Sequence, residues 1–285
     1  MKKEICIITG CTSGLGYEIL RGFLKKNYKI YGISNNIIKI KKTIKKLKHE
    51  NYNLNNFFLK RVNVSNQTEV KNFIKNIINT EKKIDILISN AGVYGPIGKF
   101  EETNSLKWKK AFEINFFGSI NMFREVIPIM KKKNYGRIIQ ISGGGATKSL
   151  PMFTSYASAK VAIVRFAETI SDELKNYNIN INSIAPGALN TIFLDQALKA
   201  GPKKTGKDFY KKMILIKKKG GDDMGKTVDL CLQLSNKKSK VNGKLISSLW
   251  DKWSNFVSSE KLNKTDVYTL RRIIGSDRKL KKFDV

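Results

Sequence analysis

"EICIITGCTSGLG", residues 4–16, runs a strand-length apolar segment straight into a glycine-rich turn and the start of a helix-like segment. That context makes the glycines informative. Gly10 permits a tight turn, while Gly14 and Gly16 lack the Cβ that would block a phosphate or the neighbouring sheet. Thr12, Ser13 and Leu15 complete the turn, and a helix opening near Gly14 would point unpaired N–H groups and its positive end at an anion.

Outward from this stretch, the same alternation continues. Strand-length apolar runs recur at 4–9, 29–34, 57–62, 84–89, 136–142 and 181–185, and "KLISSLW" (244–250) offers a last one. Between them, 14–27, 38–49, 66–80, 104–132 and 155–176 read as helices, with 225–235 a further one. In 66–80, Val70, Phe73, Ile74, Ile77 and Ile78 recur at steps of three and four and form one apolar face. Strands alternating with helices predict an α/β chain with a parallel sheet covered on both faces. Residues 186–224 lose this rhythm amid glycines and lysines, which predicts a lid or mobile loop. The expected organisation is one three-layer domain over 1–248 and a short helical or irregular extension over 249–285.

The 285 residues carry 54 Lys+Arg against 23 Asp+Glu, a formal charge of +31. Such a balance normally points to nucleic acid or an anionic surface. The lysines nevertheless come with abundant Asn and Ile, as in "NNIIKIKKTIKKLKHENYNLNN", and all three residues have A/T-rich codons, so base composition is an alternative source. No apolar run approaches the ~20 residues of a membrane helix. The beginning lacks the long apolar stretch of a secretory signal. Cys6, Cys11 and Cys231 show neither disulfide nor zinc spacing, so reduced structural thiols in a cytoplasmic protein are expected, with no metal site. His49 reads as solvated near a helix end, and Trp108, Trp250 and Trp253 read as core or interface residues.

Further motifs follow in order. "NAG" (Asn90, Ala91, Gly92) ends the fourth strand, and Asn115 stands in "INFFG". Ser142 ends the fifth strand, "YASAK" carries Tyr156 and Lys160, and "PG" (Pro186, Gly187) follows the sixth strand with Thr191 four residues on. With the T-G-x-x-x-G-x-G turn, this series over roughly 4–247 resembles the short-chain dehydrogenase/reductase family. The resemblance implies a Rossmann-type doubly wound sheet and NAD(P)-dependent interconversion of a secondary alcohol and a ketone. Asn115, Ser142, Tyr156 and Lys160 would be the catalytic residues.

Their chemistry is arguable from residue type. Tyr156 and Lys160, at i and i+4, share one helical face. Bringing a tyrosine from its ordinary pKa of about 10 to about 7 requires about 4 kcal/mol. One positive charge about 4 Å away supplies roughly that at an effective dielectric near 20. Lys160 is thus expected to depress the Tyr156 pKa, and Ser142 to donate a hydrogen bond to the carbonyl oxygen. The resemblance further implies that Lys160 holds the nicotinamide ribose and that Asn115 holds a water of a proton relay.

At the end of the second strand, where an acidic residue would bind the ribose and repel a 2′-phosphate, stands Ser34, followed by Asn35. NADP is therefore favoured over NAD, with Lys39, Lys41 and Lys42 near enough in sequence to attract the phosphate. Asn63, followed by Val64, stands where the family often has an aspartate, and its amide would contact the adenine. The lysine-rich 186–224 segment suggests a sugar, polyol or phosphorylated or nucleotide-linked derivative as substrate, with codon-biased lysines on a solvated loop as the alternative. The ending "GKLISSLWDKW" is similar to that of relatives from surface-polysaccharide gene clusters. A 3-oxoacyl-thioester reductase is the competing enzyme. A noncatalytic basic protein binding nucleic acid is the competing class, and the intact tetrad argues against it. By resemblance, a homodimer or homotetramer would form through 104–132 and 155–176.

Overall fold

Seven parallel strands in the order β3-β2-β1-β4-β5-β6-β7 make one sheet. The computed structural model describes residues 3–26 and 28–279. Asn27, at the expected end of the first helix, and residues 1–2 and 280–285 of the expected domain and extension lie outside them. The strands are β1 Ile5–Thr9, β2 Lys29–Ser34, β3 Phe57–Arg61, β4 Ile86–Ser89, β5 Gly136–Ile141, β6 Ile179–Ala185 and β7 Leu245–Ser247. Each falls within or within two residues of an expected run, and the inner strands β1 and β4 are nearly apolar throughout because both their faces are buried. Successive residues serve opposite faces: Cys6 and Ile8 enter one core with α1 (Gly14–Leu24) and α9 (Met224–Ser235), while Ile5 and Ile7 enter the other. That second core also takes α3 (Gln67–Glu81) and α5 (Gly118–Lys133), and α3 buries Val70, Phe73, Ile74 and Ile77 there as its periodicity predicts. Helix α2 (Ile37–His49) ends on the exposed His49.

Two expectations fail. The stretch 104–132 is not one helix: α4 (Ser105–Phe112) passes through a π-turn, Glu113–Phe117, into α5. The amide of Asn115 donates to Ala111 O at 2.8 Å and to Val93 O at 2.7 Å, so a side chain inserts where a regular helical surface would continue. Residues 186–224 are not irregular either. They form α7 (Ile192–Thr205) and α8 (Lys207–Lys219), which bury Leu194, Ala197 and Met213. Gly201, Gly206 and Gly220, all at positive φ, kink α7, separate the two helices and end α8. The excursion is closed at its base, where Leu189 bridges Gly221 and Asp222 N donates to Ala188 O at 3.0 Å.

Helix α6 (Thr154–Glu173) joins β5 to β6. Beyond β7 the described chain makes short 3₁₀ turns and lies along α6 and the sheet edge. Tyr268 O accepts from Leu245 N, and Glu168 Oε1 accepts from Leu270 N, each at 2.8 Å. Cys6, Cys11 and Cys231 are buried and free, with burial pushing the Cys11 thiol up to about 12. Among the described residues, no helix is long and apolar enough to cross a membrane.

Candidate active site

The strand order turns back between β1 and β4, which opens a crevice at their carboxyl ends. The glycine turn sits in it. A Cβ on Gly10, whose φ is +65°, would lie 2.8 Å from Ala91 Cα, and one on Gly16 would overlap Gly10 O. Thr9 Oγ1 accepts from Asn90 N and Ala91 N at 2.9 Å, and Asn90 Nδ2 donates to Thr9 O and Gly10 O. Asn90 thus holds the ends of β1 and β4 together. The N-cap of α1, Ser13, makes no side-chain bond to the helix, so the first N–H groups remain for an anionic ligand. This cradle, which any side chain would fill, fits a dinucleotide phosphate.

At the end of β2, Ser34 Oγ lies 3.0 Å from Thr12 Oγ1 and accepts from Asn36 N at 3.3 Å. No carboxylate is present there. Of the three lysines singled out by position, Lys39 borders the cavity, while Lys41 and Lys42 point to solvent and do not. Asn63 Oδ1 is taken up by Ser65 N and Oγ. Thr191 Oγ1 caps α7 through Phe193 N, and its methyl group approaches the Cβ position of Gly14 to 3.1 Å.

Tyr156 and Lys160 project from α6, one turn apart and buried. Ser142, 2% exposed just beyond β5, has an Oγ without a hydrogen-bond partner among the described residues. Beside it, a Cβ on Gly143 would come within 2.5 Å of the Tyr156 hydroxyl. A buried hydroxyl left unpaired is costly, and an incoming carbonyl oxygen would satisfy it. Lys160 Nζ donates to Ile141 O at 2.8 Å and lies 5.6 Å from the centre of the Tyr156 ring. The expected depression of the Tyr156 pKa by Lys160 is not found. Burial, with a smaller contribution from Tyr94, pushes the phenol upward, and burial pushes Lys160 down to about 8. Desolvation outweighs the pairing because the lysine's hydrogen bond goes to a main-chain carbonyl. Asn115, fully buried, accepts from Val93 N at 3.1 Å as well as donating to Val93 O and Ala111 O. Its side chain is spent on the β4–α4 connection, which leaves only its main chain for a relay.

Most of these groups surround one cavity of about 640 Å³. Every expected cofactor residue borders it, from Gly10, Thr12, Ser13, Gly14, Leu15 and Gly16 through Ser34, Asn35, Asn63, Val64, Asn90, Ala91 and Gly92 to Pro186, Gly187 and Thr191. Ser142, Tyr156 and Lys160 border it too, while Asn115 stands behind the wall. The cavity also takes residues that sequence reasoning missed: Tyr94, Leu150, Phe193, Phe209, Met213 and Trp250. Tyr94 meets the Tyr156 ring edge-on at 5.0 Å and stacks on Phe193 at 4.6 Å. Only Tyr94 had a cue, two residues after "NAG". Trp250 is no core residue, being 78% exposed.

Comparison with known proteins agrees. The model of the short chain dehydrogenase family matches residues 4–200. The 3-ketodihydrosphingosine reductase of Bacteroides thetaiotaomicron is 29% identical over 68% of this chain and 67% of its own length. The 2,3-dihydro-2,3-dihydroxybenzoate dehydrogenase of Bacillus subtilis is 28% identical over 67% of this chain and 72% of its own. Among solved structures, the actinorhodin polyketide ketoreductase with NADPH superposes with a TM-score of 0.75 at 19% identity, covering 86% of this chain and 95% of that one. The crevice, the ordered motifs and the family match together make this chain a member of the short-chain dehydrogenase family and an NAD(P)-dependent oxidoreductase.

Proposed function

We propose that the protein is an NADP(H)-dependent carbonyl reductase acting on a ketone with a bulky apolar substituent. The observation that carries this reading is the unpartnered Ser142 hydroxyl, next to the residue that faces the Tyr156 hydroxyl, at the apolar end of the cavity. Bound nicotinamide supplies the hydride. Ser142 donates to the carbonyl oxygen and Tyr156 gives that oxygen its proton. Burial keeps the Tyr156 phenol protonated, the form that donates to the oxygen in the reduction direction, and the same hydroxyl takes the proton back in the reverse. Lys160 positions the ribose and carries charge near the site, and Asn115 holds the β4–α4 connection in place. A serine in place of a carboxylate at the end of β2, with Lys39 on the cavity wall, supports NADP over NAD.

The substrate end supports an apolar ketone over the sugar, polyol or phosphorylated derivative that the lysines suggested. Tyr94, Leu150, Phe193, Phe209, Met213 and Ile216 line it, and only Lys212 of the lysines in α7 and α8 borders the same cavity. Two relatives named for ketone reduction are in keeping with this. We propose self-association through α4, the π-turn that follows it and α6, where Leu106, Phe117 and Val161 are exposed.

The test is NADPH oxidation followed by absorbance with aryl ketones, 3-oxoacyl thioesters and, in reverse, polyols. Bulky apolar ketones should give the highest kcat/KM. Tyr156→Phe should lower kcat by about 10³-fold or more while NADPH affinity stays within about threefold. Unchanged turnover in that variant would remove Tyr156 from its role.

A further inference from the structure

Trp250 has the greatest exposure of the large apolar side chains among the described residues, 78%, and it borders the catalytic cavity. The backbone on both sides of it is held firmly. Ser247 Oγ accepts from Leu249 N at 3.3 Å and from Trp250 N at 3.2 Å, and Ser247 N donates to Asp251 Oδ2 at 2.6 Å. Trp253 Nε1 donates to Ser248 O at 3.2 Å, and Ser248 Oγ lies 2.8 Å from Thr227 Oγ1. Leu249 packs over Gly187, where an added Cβ would come within 3.3 Å of Leu249 Cγ. Trp253, Phe256 and Val257 then anchor the following turn in the core.

An indole left in water on a fixed turn is unfavourable for the folded chain alone, and it needs little further ordering to receive a partner. Its place on the cavity lining offers the indole to a molecule bound in that cavity. Two features set its chemistry. The indole offers a flat apolar face with one N–H donor, and the cavity that Trp250 borders is also lined by Phe193, Phe209, Met213 and Ile216. Trp250 lies beyond the segment matched by the family model, residues 4–200.

We propose that Trp250 is a specificity-determining residue whose indole closes on a flat, apolar part of the ketone substrate, such as an aryl ring. The proposal rests on the carbonyl-reductase reading and adds the residue that selects the substrate's shape.

The test uses the full chain, with 2-acetylnaphthalene as the flat probe and butan-2-one as the small one. Trp250→Ala should raise KM for 2-acetylnaphthalene at least about tenfold with kcat within about threefold, and leave KM for butan-2-one within about twofold. Trp250→Phe should keep most of the discrimination. Equal effects on both ketones, or no effect on either, would overturn the proposal. A second readout does not need turnover. With 5-fluorotryptophan at all three tryptophans, the ¹⁹F resonance lost in Trp250→Phe is that of Trp250. Adding NADP⁺ with 2-acetylnaphthalene should shift it and reduce its H₂O/D₂O isotope shift, while butan-2-one should not; an unmoved resonance refutes the contact. If no chain oxidises NADPH with either ketone, the carbonyl-reductase reading fails, and the fluorine signal alone decides whether the indole meets a flat ligand.

Discussion

The two ends of the cavity are built differently. The dinucleotide end is made of backbone: Gly10 and Gly16 stand where a Cβ would strike main-chain atoms, and Asn90 ties β1 to β4 through hydrogen bonds to main-chain carbonyls. The opposite end is made of side chains from distant segments, with Tyr94 after β4, Phe193 on α7 and Phe209 and Met213 on α8 clustered beside Tyr156. Backbone geometry admits few residue types, whereas an apolar wall accepts many. The first end therefore fixes the reaction's cofactor class and the second is free to choose the substrate.

The largest effect should come from the rigid end. Gly16→Ala places a methyl group against the Gly10 carbonyl, and an overpacking cost of about 2 kcal/mol corresponds to about a 30-fold loss of NADPH affinity. Isothermal titration checks it, and an unaltered affinity would show that this end gives way as readily as the other. Next, Ser34→Asp restores a carboxylate beside Thr12. The ratio of kcat/KM for NADPH over NADH should fall at least about tenfold; a constant ratio would move the ribose site away from β2. At the adaptable end, Phe209→Ala should lower kcat/KM for a bulky ketone about tenfold while NADPH affinity is unchanged. Equal losses for cofactor and ketone would erase the distinction between the ends.

The smallest effect is one of pH. The folded pKa of Lys160, about 8, lies below its ordinary 10.5. Between those values the unfolded chain binds more protons, so the stability contribution rises with pH, and the penalty of a buried charge is fully present below about 8. Tyr156, raised above its ordinary 10.0, acts oppositely: above about pH 10 the unfolded chain loses its proton first and that contribution falls. Thermal unfolding from pH 7 to 10 should show a smaller rise for Lys160→Met than for the parent chain. Parallel curves would mean that Lys160 does not titrate in this range.

The expectations that held and those that failed divide along the same line. The strands were legible because burial on both faces leaves only apolar residues, and the glycine turn because its steric demand is local. The break at Asn115 was not: the side chain that opens α4 into a π-turn does so by bonding to Val93, twenty-two residues away. Helices α7 and α8 were obscured by glycines and lysines, although Leu194, Ala197 and Met213 carry a buried face. Those glycines end and kink the helices without preventing them. The Tyr156–Lys160 spacing was right, but the net shift on the phenol is upward rather than downward, since burial, which depends on the packing around α6, outweighs any help from the lysine.

Taken by itself, the chain's order of residues determined the α/β alternation and the glycine turn that opens the first helix, and these follow from periodicity and from steric limits within a few residues. The proposed reacting side chains Ser142, Tyr156 and Lys160 came instead from the resemblance of the ordered motifs to a known family. Only the tertiary structure decided that Ser142 lacks a partner, that Lys39 alone of its neighbours faces the cavity, and that Trp250 stands at its edge. These are properties of space between segments far apart in the chain, where burial and hydrogen-bond supply are set by what packs alongside.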